Sequence, residues 1–391
     1  MKKTLLLLLF VFTFVTLAGC QEKDSFTLEL TDFNGDVLVD QTIYFEEDDQ
    51  RTILELIEAS VDIDYDTYDF GVMVNGIEGY YPREYGASYN YYYQIQVDGV
   101  ASEVGISEIN YVDQMTLSFV EISSLLAFDQ MVDDFIYGFI KNNLDNYLSD
   151  AFVDYMVLSS LNQLIQNNYI DLDFNDYYSY DNLDLKNEVL DDMTIGELLK
   201  AGPVYKVEGM NLDTYKTKLS ETEISNPYEA TSYLEALYIA GEMDNVVAAD
   251  LMNQEVNDPD YTGMALMAIA PYSDLEGFDS YIDSLGTYLQ TTLTATGVES
   301  WGSANSASTA TAILGLVANG INPQSDAYMT DGVGLVEALM LYVDGYNFKW
   351  QLASEEADLA FSTPQAFAAL VAYKLSRDTW GFGSTNIFNF S

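Results

Sequence analysis

The chain of 391 residues contains no histidine at all. That removes the commonest general base and the commonest transition-metal ligand together. There is one cysteine, Cys20, so internal disulfides and cysteine-rich zinc patterns are excluded. Positive charge is scarce: 14 Lys and Arg stand against 63 Asp and Glu, for a net charge of −49. Nucleic acid is thereby excluded as a partner, because its phosphates need cationic contacts. An anionic lipid surface is disfavoured for the same reason. Such an acidic surface suits either solvation in an external medium or the attraction of cations and basic partners.

What is present is apolar and aromatic. Hydrophobic residues make up 49% of the chain, enough for a large core, and 31 tyrosines recur in clusters such as Tyr80-Tyr81, Tyr89–Tyr93 and Tyr177–Tyr180. The length favours two domains.

The N-terminus reads as an export signal over residues 1–19. Lys2 and Lys3 supply the positive start, Leu5–Leu17 the apolar stretch, too short to span a bilayer comfortably. Leu17-Ala18-Gly19-Cys20 resembles a bacterial lipobox. The resemblance implies cleavage before Cys20, lipidation of Cys20, and anchoring on the extracytoplasmic face of a cell membrane. Residues 20–26 then form the lipidated Cys and a polar tether.

Residues 27–122 read as hairpin, helix and further strands. Phe26–Leu30 and Val37–Phe45 flank the turn Asp32–Asp36, Arg51–Ser60 carries a helical stripe, and a second hairpin is expected about Asn75-Gly76. Tyr91–Val97 ends in the turn Asp98-Gly99, and Met115–Ile122 closes the set. The expected fold is a small β-grasp-like α+β domain. Leu54, Val74-Asn75-Gly76, Tyr91–Tyr93, Val97-Asp98-Gly99, Gly105-Ile106 and Leu117–Val120 resemble the transcobalamin-like C-terminal domain of bacterial surface lipoproteins.

Residues 125–391 carry an internal repeat. Trp301–Gly320 returns as Phe361–Tyr373 when Thr309 is aligned with Thr363, with weaker copies at Tyr261–Pro271 and Ala230–Gly241. Copies about 30–55 residues apart indicate units of two helices, one capped by Ser or Thr and apolar nearly all round. Paired helices of this kind predict an α/α toroid, with an open helical solenoid as the alternative. Asp260–Tyr272, Trp301–Asn322 and Asp358–Tyr373 resemble the prenyltransferase and squalene-cyclase type of toroid. Vertebrate transcobalamin and intrinsic factor combine both modules and hold cobalamin between them; here the order is reversed.

The enzymatic uses of such a toroid find no support. Zinc held by Asp, Cys and His lacks its His; Asp133-Asp134 and Asp191-Asp192 lack the upstream Asp of a cyclase motif; a complement-type thioester lacks its Cys. The acidic stretch Asp171–Asp184 lacks the central Gly of a calcium loop. No cofactor is required and no catalytic residue is assigned. The ligand-binding residues expected at one rim of the toroid and on the β-domain are Tyr92, Tyr261, Thr262, Trp301, Asn305, Ser308, Thr363 and Gln365. The resemblance implies a large ligand, cobalamin or another corrinoid, held between the β-domain and the rim for delivery to a membrane transporter. Two other readings stay open: a non-enzymatic surface protein binding glycan or a protein partner, and a toroid-type enzyme.

Overall fold

The structure is a computed structural model; it describes residues 23–69, 71–183, 190–255 and 257–390. The export segment and Cys20 lie outside the described residues. The chain divides into two compact units, one ending at Ser124 and one beginning at Leu125.

The first unit is a mixed five-stranded sheet. β1 (Asp24–Thr31) and β2 (Val37–Phe45) form an antiparallel hairpin, whose turn is held by Asp32 Oδ1 accepting from the backbone N–H of Asn34 and Asp36. After α1 (Ile53–Glu58) come a separate hairpin, β3 (Ile63–Tyr68) and β4 (Gly71–Ile77), then β5 (Tyr91–Val97), β6 (Val100–Ala101) and β7 (Thr116–Ser123). The sheet order is β2-β1-β7-β5-β6, with β1 and β7 parallel. Alternation along β1 sends Phe26, Leu28 and Leu30 to one face, where they meet Leu117 and Phe119 of β7 and Ile53, Leu56 and Ile57 of α1.

Two expectations need correction here. The tether ends earlier than residue 26, because β1 begins at Asp24 and Phe26 is fully buried. Asn75-Gly76 is not a hairpin turn but lies inside β4, where Asn75 is the extra residue of a bulge: Asp64 pairs with Gly76 and Tyr65 with Val74. Its glycine has a different use: a Cβ on Gly76 would fall 2.6 Å from the Tyr81 ring, so the tyrosine packs directly on the backbone.

The second unit is largely helical. Six helices are buried over much of their length: α3 (Tyr155–Gln166), α4 (Ile195–Val207), α6 (Pro227–Ile239), α8 (Pro259–Ile269), α10 (Ser306–Ala318) and α12 (Ser362–Arg377). The chain places α2 (Ala127–Asn143), α5 (Asp213–Glu221), α7 (Asn245–Leu251), α9 (Phe278–Gln290) and α11 (Leu335–Met340) between or before them. α9 shows the contrast, burying only the stripe Tyr281, Ile282, Leu285, Gly286 and Leu289, as a helix with one solvated face does. The neighbour order of the buried helices runs α3, α4, α6, α8, α10, α12 and returns from α12 to α3.

Five of these six helices start on a capping side chain: Asp154, Thr194, Asn226, Asp258 and Asn305 accept from first-turn backbone N–H groups. The N-cap of α12, Phe361, has no such side chain, and Asp358 in the preceding loop accepts from Ser362 N instead. α8 and α10 approach backbone to backbone: a Cβ on Gly315 would sit 2.5 Å from the carbonyl oxygen of Gly263. Short β-hairpins precede α3, α10, α11 and α12, and the repeated threonines fasten two of them. Thr309 Oγ1 accepts from Val298 N at 2.9 Å, and Thr363 Oγ1 accepts from Phe348 N at 2.9 Å.

Residues 385–390 bond the C-terminal parts of three of these helices, α10, α8 and α3. Thr385 N donates to Val317 O, Asn386 Nδ2 to Met267 O, and Gln163 Nε2 to Asn389 O. Ile387 and Phe388 are fully buried, and the Phe388 ring lies parallel to Tyr155.

Candidate functional site

Cavities open at both ends of the buried helices: one of about 530 Å³ lies at the C-terminal turns of α3 and α4, lined by Gln166, Lys206 and Phe390 among others, and two adjoining ones lie at the N-terminal ends. A smaller cavity of about 420 Å³ lies at the first turns of α8, α10 and α12. It is lined by Asp260, Asn305, Ser308, Gln365, Trp301, Trp350 and Phe361 among others. Trp301 sits in the turn between strands Gly297–Ser300 and Ser303–Ala304 and is 87% exposed. Its φ is 57°, followed by Gly302 at 84°. A two-residue hairpin turn with both φ positive is normally filled by Asn-Gly or Gly-Gly. A bulky aromatic there is strained, and such strain clusters at functional positions.

Polar groups in this cavity are only partly used. Asn305 Oδ1 caps α10 by accepting from Ser308 N at 2.9 Å, and Asp260 Oδ2 accepts from Ser300 Oγ. Asp358 is fully occupied in starting α12, accepting from the N–H groups of Ala360, Phe361 and Ser362. Gln365 Oε1, by contrast, is buried and has no hydrogen-bond partner among the described residues.

A larger cavity of about 880 Å³ adjoins it and shares Phe361 and Gln365. Tyr147, Phe152 and Tyr155 line it, with Asp154, Glu197 and Lys200 as its charged residues. Burial pushes the Asp154 carboxyl up to about 6, against the backbone N–H groups of Val157 and Met156 and the nearby Lys200, which pull it down. Glu197 goes the other way, because the Thr194 N–H and hydroxyl bond its carboxylate. Deeper still, burial alone holds Glu235 of α6 well above the usual carboxylate range.

Four of the expected ligand-binding residues, Trp301, Asn305, Ser308 and Gln365, come together on the smaller cavity. Three others belong to the packed interior instead. Tyr261 is 3% exposed and meets the Tyr281 hydroxyl, Thr262 Oγ1 donates to Asp258 O, and Thr363 Oγ1 donates to Asp358 O. Their hydroxyls serve helix starts and core contacts. Tyr92 lies on β5 of the first unit, partly exposed. Sequence reasoning passed over Phe361, Trp350 and the whole larger cavity. Asp154 carried a signal, an acid directly before an apolar run, but that signal marks any helix start.

Among the described residues no helix is long and apolar enough to cross a membrane, and no three His, Cys, Asp or Glu side chains gather as metal ligands. Comparison with known protein families and with curated proteins returns no match.

Proposed function

We propose that this chain is an extracytoplasmic, lipid-anchored binding protein in which a β-grasp-like unit precedes an α/α toroid. The cyclic neighbour order of the six buried helices supports the toroid, and the parallel pairing of β1 with β7 beside α1 supports the β-grasp reading. The ligand is a large, amide-bearing molecule of the corrinoid class, docked over the smaller cavity and passed on to a membrane transporter. No catalytic step is assigned to it.

One observation carries this reading. Trp301, strained and exposed, stands beside the carboxamides of Asn305 and Gln365 at one cavity mouth. An aromatic wall with a few convergent neutral hydrogen-bonders suits such a ligand. Gln365 Oε1 lacks a partner among the described residues, and an amide N–H of the ligand would supply one. With no histidine, cobalt would gain no imidazole ligand from the protein. The test is a chain beginning at Gln21, analysed by mass spectrometry for a co-purifying ligand and titrated with aquacobalamin. Binding without the absorption change that histidine coordination produces supports the reading; no binding at micromolar concentration rejects its corrinoid form.

A second reading rests on its own observation. Two of the three tryptophans, Trp301 and Trp350, line one cavity with Phe361, and all three side chains are exposed. Such a surface also suits a glycan, and retention on glycan arrays with no corrinoid bound would favour it.

A further inference from the structure

The larger cavity holds chemistry that docking over the smaller one leaves unused. Its walls are aromatic, with Tyr147, Phe152, Tyr155 and Phe361 all on the lining. Among the described residues its charged groups are two carboxylates, Asp154 and Glu197, and one ammonium, Lys200. Asp154 is only 7% exposed, and just one of its oxygens caps α3.

A carboxyl as buried as Asp154 is costly to ionise, and a cation held beside it lowers that cost. Aromatic faces carry negative charge density and attract ammonium groups, most strongly where water is displaced. The net charge of −49 would raise the local concentration of any cation at the surface. A volume of about 880 Å³ is far larger than an inorganic ion needs and lies in the range of small organic ligands. We propose that the larger cavity binds an organic ammonium group, a quaternary or alkylated amine held against Tyr155 and Phe361 with Asp154 as its counter-ion. The site shares Phe361 and Gln365 with the smaller cavity but does not depend on the corrinoid reading.

The experiment compares choline with its neutral isostere, in which carbon replaces the quaternary nitrogen, by titration calorimetry of the protein. Choline should saturate one site and bind roughly tenfold or more tightly than the isostere. Asp154→Asn and Phe361→Ala should each weaken it about tenfold, and Trp301→Ala should leave it unchanged. Asparagine caps a helix as well as aspartate does, and Phe361 is 67% exposed, so circular dichroism should show both variants folded. If Asp154→Asn does not fold, Phe361→Ala decides alone. Equal affinity for the isostere, indifference to the folded variants, or no choline binding at millimolar concentration overturns the site. So does binding that disappears at about 0.5 M salt, which marks diffuse counter-ion attraction.

Discussion

Lys374 Nζ lies 2.9 Å from Asp133 Oδ2, and neither side chain has any exposed surface. This pair joins α12 to α2, and it does not stand alone. Arg377 also reaches Asp133 at 2.9 Å, Asp378 bonds both cations, Tyr169 donates to Asp378, and the Tyr169 ring lies 4.8 Å from Lys374 Nζ. A chain with 14 basic residues therefore commits two of them to its interior. Burying charges is costly, and only multiple partners of this kind offset it.

Removing one member should show that dependence. Lys374→Met should destabilise the helical unit by about 3–5 kcal/mol, because it strands buried carboxylates. Lys374→Met combined with Asp133→Leu should recover part of the loss. Urea unfolding of the three proteins checks both statements. Burial works against ionisation of Asp378, yet Lys374 and Arg377 prevail and hold its carboxyl below the usual value. The sign follows: its stabilising contribution is present above the unfolded-state pKa and is lost as pH falls through the lowered folded one.

Asp154 should act in the opposite sense. Its folded carboxyl is raised from 3.8 to about 6, so its contribution is full below the unfolded value and is lost as pH rises through the folded one. Asp154→Asn keeps the cap and removes the titration. Relative to the unmodified protein, it should gain on the order of 2–3 kcal/mol between about pH 4 and about pH 7.5. Thermal unfolding followed across that range would expose a pH-independent difference if the assignment were wrong.

Thr309 and Thr363 should matter for stability and not for binding. Replacing either by valine leaves a buried backbone N–H, of Val298 or Phe348, without its acceptor. Each change should cost about 1–3 kcal/mol in chemical unfolding. Ligand retention by the folded fraction should be unaltered, since neither residue is on the lining of the smaller or the larger cavity.

Trp301 should show the reverse pattern. Trp301→Asn places a residue that tolerates positive φ in the turn and should hold or raise stability by up to about 1 kcal/mol. The same change should weaken the ligand of the smaller cavity sharply. A clear fall in melting temperature would mean that the indole supports the fold.

Much of this architecture was legible because local chemistry recurs. Asp32 with Gly35 announced the first hairpin, and the alignment of Thr309 with Thr363 identified equivalent positions before any coordinates. What the alignment could not convey was the use of those hydroxyls. A threonine near a helix start reads alike whether it faces ligand or fastens the preceding strand, and here both fasten. The turn at Asn75-Gly76 was misread because glycine also serves where a ring lies on the backbone, as Tyr81 does. The walls of the larger cavity were hidden for another reason. Phe152, Glu197 and Phe361 are distant in sequence and meet through the packing of α12 and of α4 against α3.

The bonding of three helix ends by Thr385–Phe390 sets an order of events during synthesis. Phe388 lies against Tyr155, and Asn389 is bonded to Gln163, a helix made more than two hundred residues earlier. The first apolar helices therefore emerge long before the residues that contact them. Contacts of such sequence separation slow folding and lengthen the time that apolar surface stays uncovered. A chain that stalls short of Thr385 leaves the apolar surface around Tyr155 without Phe388, a form that chaperones and proteases would distinguish from one in which that contact is made.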